Sequence, residues 1–209
     1  MRAPVAALGA ALVLALACAR PALLPPAPEA PVEPALPPPA SKPPPSPCLH
    51  IERLVAHKAE RSLEVFCAGG AVFTFVAAFG REPVGAKRAA GDERTPEGDY
   101  RIAGPARPGR FHRFLPIDYP SPADADRALA ERRLSPADHR RILDAHARGK
   151  LPPQDTELGG LLGLHGEGAR WRGESKQLDW TYGCIALADA ELDFVAARVT
   201  LGTPVTILP

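Results

Sequence analysis

Cys184 lies in the run Asp179-Trp180-Thr181-Tyr182-Gly183-Cys184-Ile185-Ala186-Leu187, nineteen residues after His165 in Leu164-His165-Gly166. A thiol with an imidazole base is the pair that nucleophilic acyl transfer needs. A free Cys has a pKa near ~8.5, so only a small part is thiolate at neutral pH. A neighbouring His or a helix N-terminus raises that fraction. Both are expected here, since Cys184 stands five residues before Asp189, the expected cap of a helix. Gly183 lets the backbone approach a substrate carbonyl closely, and the N–H groups of Gly183 and Cys184 would face a developing oxyanion. Each residue alone has a plainer reading. Most Cys are small buried hydrophobes, and most His are hydrogen-bonded structural residues.

Other constellations carry less. His139 and His146 are seven apart on one expected helix, among Arg and Asp, and read as a solvated face. No CxxC or HExxH spacing occurs, so no metal is expected. The Gly-rich run from Gly159 to Gly168 lacks the Gly-Lys-Ser/Thr ending of a phosphate loop, so no nucleotide or other cofactor is expected. Arg170, Trp171 and Arg172 lie between His165 and Cys184, as groove lining or as an exposed loop anchored by Trp.

These residues must be positioned by a mainly β domain. Leu49–Val55, Leu63–Cys67 and Ala71–Phe79 read as three strands. The polar stretch His57–Ser62 and the pair Gly69-Gly70 form the turns of a β-meander. A polar loop from Gly80 to Gly98 closes on Thr95-Pro96-Glu97-Gly98-Asp99-Tyr100, a tight turn into a strand. Ser121-Pro122 and Ser135-Pro136 each give an N-cap followed by Pro, predicting helices over 123–133 and 137–147 with Gly149 as the stop. This helical insertion is either a lid or a surface excursion. Leu158–His165 reads as a strand reaching a loop, Ala190–Val199 as an amphipathic helix and Val205–Leu208 as a final strand. The fold class is α+β: mainly β with a helical insertion.

Residues 48–209 suffice for one domain with a real core. Ahead of them, Met1-Arg2 and the apolar run Ala3–Ala17 read as a signal peptide over 1–18, too short to span a bilayer. Cys18 follows Ala15-Leu16-Ala17 directly, as in a bacterial lipoprotein, where it would carry the lipid; the alternative is ordinary cleavage beside an incidental Cys. Residues 19–47 are a Pro-rich linker holding 13 of the 26 prolines. Pro lacks the amide donor and fixes φ, so a polyproline spacer of roughly 80 Å at full extension is expected. An exported domain held off a membrane, in the periplasm or cell envelope, follows. Cys48 and Cys67 flank the first hairpin and could oxidise there, but spacing alone does not decide it. The net charge of +1, with scattered Arg, gives no footprint for nucleic acid.

The ordered motifs together resemble the YkuD-type L,D-transpeptidase domain. His165 matches its first His, Thr181 its Ser/Thr, Gly183 its Gly and Cys184 its nucleophile, while Thr95-Pro96-Glu97-Gly98 matches an upstream Thr-Pro-x-Gly segment. Tyr182 stands where many members have a second His, and Ala186 where many have Asn or Arg. These departures, with Pro152-Pro153-x-x-Thr156-x-Leu158-Gly159-Gly160 and the helical insertion, look like the YafK/ErfK-like branch. The resemblance covers nearly all of residues 49–209 and implies a β-sandwich. It also implies a cysteine enzyme acting on diaminopimelate-containing peptidoglycan stem peptides. Cys184 would form a thioester and His165 would move the proton, oriented by the carbonyl of Gly166, with Gly183, Thr181 and Tyr182 shaping the site. The acyl group would pass to an amine, in a cross-link or on an envelope protein. Water as acceptor would make the enzyme a hydrolase, and a decayed site would leave a peptidoglycan-binding module.

Overall fold

In the computed structural model the described residues are 48–169 and 178–209. The expected signal peptide with Cys18, the Pro-rich linker, and Arg170, Trp171 and Arg172 lie outside them.

The meander forms as expected. β1 (Ile51–His57), β2 (Ser62–Cys67) and β3 (Val72–Val76) pair antiparallel in sequence order. In β2 every second side chain, Leu63, Val65 and Cys67, is buried, the period-2 pattern of a strand with one face on the core. β1 buries Leu54, Val55 and Ala56 in succession, so both faces of the sheet are covered at this end of the strand. Its second neighbour is β9 (Pro204–Leu208), which runs parallel to it with Leu54 opposite Val205 and Ala56 opposite Ile207. β4 (Gly98–Arg101) completes the five-stranded sheet on the far side of β9.

A second sheet holds β5 (Arg107–Gly109), β6 (His112–Pro116), β7 (Gly163–Gly166) and β8 (Ile185–Leu187) in that order. β7 and β8 are parallel. One apolar cluster takes Leu54, Leu63 and Val205 from the first sheet and Leu115, Leu164 and Leu187 from the second. The fold is therefore a β-sandwich with three helices among the described residues, α1 (Pro122–Ala130), α2 (Pro136–Ala147) and α3 (Asp189–Ala196). Phe194 of α3 meets Phe73 and Phe75 edge-on, with ring centroids 5.4 and 5.7 Å away.

Two expectations need correction, the extent of β7 and the cap of α3, and two features were not foreseen. The β5–β6 hairpin was not anticipated; its turn is only two residues, Arg110 and Phe111, because Gly109 pairs with His112. β7 is shorter than the run Leu158–His165, since Gly159 and Leu161 adopt φ of +77° and +57°, which no strand accommodates. The cap of α3 is Ala188 and not Asp189: Ala188 offers no acceptor, and its own N–H donates to the Glu191 carboxylate at 3.2 Å. Asp189 instead accepts from the Gly168 N–H at 3.0 Å. The α1–α2 insertion is capped by Ser121 and Ser135 as expected, but it packs on the Gly80–Gly98 loop. Arg88 pairs with Glu131 at 2.6 Å, and the Arg133 guanidinium donates to the Arg88 carbonyl.

That loop is held from inside. The buried Lys58 ammonium donates to the Gly85 carbonyl at 2.8 Å and pairs with Glu97 at 2.7 Å. Asp92 accepts from Lys87 and from the Arg88, Ala89 and Arg94 amides. Burial pushes the Asp92 carboxyl up, but the Lys87 bond and the three amides outweigh it and hold the group below its usual range.

Cys48 and Cys67, both buried, are joined in a disulfide with Cα atoms 5.3 Å apart. It closes a loop of 19 residues, for which chain entropy predicts a contribution of about 3 kcal/mol. The double Cys48→Ser, Cys67→Ser variant should lose about that much in denaturant unfolding, and adding reductant to it should change nothing further.

Candidate active site

β7 and β8 bring the two candidate residues together. His165 is opposite Ala186 in the parallel register, and Leu164 is opposite Ile185. Side chains alternate faces along each strand. Leu164, Ile185 and Leu187 point into the core. His165 and Cys184, two residues before Ala186, therefore share the opposite face. Both line a cleft of about 470 Å³ whose other walls include Phe111, Trp180, Tyr182 and Leu161. No residue of the α1–α2 insertion lines it, so the insertion is not a lid over this cleft. A larger groove of about 670 Å³ beside α3 contains neither His165 nor Cys184.

His165 is buried between aromatic rings. Phe111 stacks on it at 5.1 Å and Trp180 meets it at 5.3 Å, 63° off plane. Its Nδ1 lies 2.7 Å from the Gly166 carbonyl oxygen. A carbonyl can only accept, so Nδ1 carries the hydrogen and Nε2 keeps the lone pair. Burial lowers the imidazole pKa, and the Gly166 carbonyl only partly opposes it. At neutral pH the ring is therefore an uncharged base. Gly166 has no alternative: a Cβ there would collide with the Asp189 carboxylate and lie 2.8 Å from His112 Cβ.

The half-buried Cys184 thiol donates to the Leu161 carbonyl at 3.7 Å. Burial pushes it up to about 11, against the pull of the Gly163 amide and the Lys87 charge. The resting pair is thiol and neutral imidazole, not thiolate and imidazolium. The expected helix N-terminus does not act on Cys184, because β8 separates them by roughly 13 Å of extended chain.

The loop around Cys184 is fixed by Thr181. Its hydroxyl donates to the Cys184 carbonyl at 2.7 Å and accepts from the Gly183 N–H at 3.1 Å. That second bond corrects an expectation: the Gly183 amide is engaged and is not a resting oxyanion donor. Gly183 serves through shape instead. Its φ is +121°, and a Cβ on it would lie 2.6 Å from the Arg94 carbonyl oxygen. Thr181→Val removes both bonds while keeping the shape. It should cost about 1–3 kcal/mol in thermal or denaturant unfolding and lower turnover at least about tenfold by loosening the Cys184 loop. Thr181→Ser should retain most of both.

The Thr95-Pro96-Glu97-Gly98 segment acts as scaffolding. Thr95 Oγ1 accepts from the Gly80 N–H at 2.9 Å. The chain at 79–81 then runs alongside 179–181, with the Thr181 N–H donating to the Phe79 carbonyl and the Arg81 N–H to the Thr181 carbonyl. Gly80 lets the 93–95 segment come close on its other side, since a Cβ would collide with the Glu93 carbonyl oxygen. Ala186 is fully buried and packs with Ala78 and Trp180.

Sequence reasoning missed Phe111, Arg110, Arg81 and Leu161, all of which line the cleft. No periodic pattern in Arg110-Phe111-His112-Arg113-Phe114-Leu115 marked the first two. Nothing local marks Leu161, which is exposed at φ of +57° with its N–H donated to Gln154 at 2.6 Å.

A thiol and a neutral imidazole on one cleft, with the imidazole oriented by a backbone carbonyl, are the equipment of a thiol-dependent acyl-transfer site. Residues 51–207 match the family described as YkuD, L,D-transpeptidase catalytic domain, and the chain belongs to that family. No curated protein matches the chain. Among solved structures it is similar to the helical cell shape determining protein Pgp2 of Campylobacter jejuni, at 21% identity and TM-score 0.48, over 75% of this chain and 46% of that one. It is also similar to an L,D-transpeptidase from Mycobacterium smegmatis, at 12% identity and TM-score 0.45, over 76% and 59%. A third is Bd1075 of Bdellovibrio bacteriovorus, at 17% identity and TM-score 0.44, over 77% and 51%. The chain thus spans about half the length of these structures.

Proposed function

We propose that this protein is an L,D-transpeptidase acting on peptidoglycan stem peptides through a thioester on Cys184. The observation that carries the reading is the His165 arrangement: Nδ1–H on the Gly166 carbonyl, Nε2 free to accept, and Cys184 on the same cleft. His165 Nε2 takes the thiol proton as sulfur attacks the carbonyl of the diaminopimelate L-centre. The proton then passes to the departing amine of D-alanine, leaving the acyl group on sulfur. An amine of a second stem peptide or of an envelope protein attacks the thioester, His165 takes its proton, and the thiol is regenerated. A site of this chemistry belongs outside the cytoplasm. Export by the signal peptide, with a lipid on Cys18 and the Pro-rich spacer placing the domain near the wall, completes the proposal. No metal or other cofactor enters any step.

The test is to incubate the purified protein with diaminopimelate-containing tetrapeptide muropeptides and identify products by mass. Cross-linked dimers with free D-alanine support transfer. Free D-alanine with shortened, unjoined peptides assigns a hydrolase. Binding without any product assigns a peptidoglycan-binding module. The anchor is tested separately: Cys18→Ser should release the protein from membranes, and unchanged membrane association would refute lipidation.

A further inference from the structure

Among the described residues, the cleft around Cys184 is lined by three arginines, Arg81, Arg110 and Arg113, and by no Asp or Glu. Such a lining favours an anionic ligand. The three are not equivalent. Arg113 has its Nε committed to Asp193 at 2.8 Å. Arg110 stands in the β5–β6 turn, with its guanidinium 5.6 Å from the Phe111 ring centroid, on the His165 side. Arg81 is on the Cys184 side. Its N–H is tied to the Thr181 carbonyl at 3.1 Å, and its guanidinium lies 4.5 Å over the ring of Tyr182. Glu93 reaches one Arg81 nitrogen only at 3.5 Å, longer than the ~2.7–2.9 Å of a strong charge-assisted bond. Glu93 and Tyr182 therefore orient the guanidinium, and the half-exposed fork keeps donors for a ligand.

Ala186 sharpens the point. It faces His165 across the β7–β8 pair, but its buried methyl group packs against Trp180 and offers a substrate no hydrogen bond. A polar group for the substrate has to come from elsewhere on the rim.

We propose that Arg81, propped on Tyr182, is a specificity-determining residue that binds a free carboxylate of the stem peptide as a bidentate pair. The inference rests on the acyl-transfer reading of Cys184. Two carboxylates of the substrate have this chemistry: that of the departing D-residue and that on the side chain of the diamino acid.

Three tetrapeptides separate them: the free acid, the C-terminal D-alaninamide, and the peptide amidated on the diaminopimelate side chain. Acyl-enzyme formation is followed by mass, and kcat and KM are measured for the wild type, Arg81→Gln and Arg81→Lys. The wild type should disfavour one of the two amides by roughly tenfold or more, mainly in KM, since a charge-assisted bidentate bond is lost. Arg81→Gln should bring the free acid down to that amide, and Arg81→Lys should fall between. The amide that is disfavoured names the carboxylate. If the wild type acylates with all three alike, or Arg81→Gln keeps the full preference, the Arg81 assignment is wrong while the acyl-enzyme stands. If no peptide acylates the wild type, the acyl-transfer reading fails and takes this assignment with it.

Discussion

Cys184→Ala should abolish both the covalent adduct and turnover, with a loss on the order of 10^4-fold or more. Only Cys184 is a free thiol among the described residues, because Cys48 and Cys67 are bonded to each other. An adduct of wild-type protein with a donor tetrapeptide should therefore gain the peptide mass less D-alanine and map to the peptide containing Cys184. The substitution removes a partly exposed side chain beside the core, so the variant should keep its fold; an unchanged unfolding midpoint in denaturant checks that. Turnover that survives in a folded Cys184→Ala protein would exclude a thioester mechanism.

The second large effect concerns pH. In the proposed mechanism the active form has His165 neutral and Cys184 protonated, with the proton moving during attack. Burial lowers the His165 pKa, so kcat/KM should stay flat through neutrality and decline only below the usual His value of ~6.5. Cys184 is pushed up to about 11, so the thiol persists and no second ionisation should bend the profile between neutrality and moderately alkaline pH. His165→Gln should lower kcat by about 10^2–10^4-fold. It should also change the shape of the profile. Without a base the reaction must wait for free thiolate, only roughly one part in 10^4 at pH 7 for a group titrating near 11. The residual rate should then climb about tenfold per pH unit. A wild-type profile with that same slope would show that His165 does not act as the base, and alkylation of Cys184 by iodoacetamide at full speed at pH 6 would show a preformed ion pair; either result would overturn the neutral-pair mechanism.

Much of this arrangement was legible in local residue patterns. The short apolar run Leu63–Cys67 and the Ser-Pro starts at 121 and 135 report backbone preferences that tertiary packing did not override. The order His165, Thr181, Gly183, Cys184 carried the candidate site, and the Gly166 carbonyl stands where the resemblance puts it. What was hidden depends on partners distant in sequence. Whether the Gly183 N–H is free depends on where the Thr181 hydroxyl points. Whether α3 acts on Cys184 depends on β8 lying between them. The β5–β6 hairpin has strands of three and five residues, too short for a periodic signal, yet its turn supplies the ring that stacks on His165. Phe111 became visible only once β6 was seen beside β7.

The position of β9 has a consequence for how the domain is made. Of the nine strands among the described residues it is translated last, yet it sits between β1 and β4. Its pairing of Leu54 with Val205 joins residues some 150 positions apart, a long closure that can occur only when nearly the whole domain is available. A nascent chain stalled before Pro204 would leave β1 with an unsatisfied edge and β4 with no sheet to join. Such a chain cannot complete its five-stranded sheet until its last strand emerges. Under the export proposed above this delay is useful, because a catalytic domain that closed early on the ribosome could no longer pass through a narrow channel.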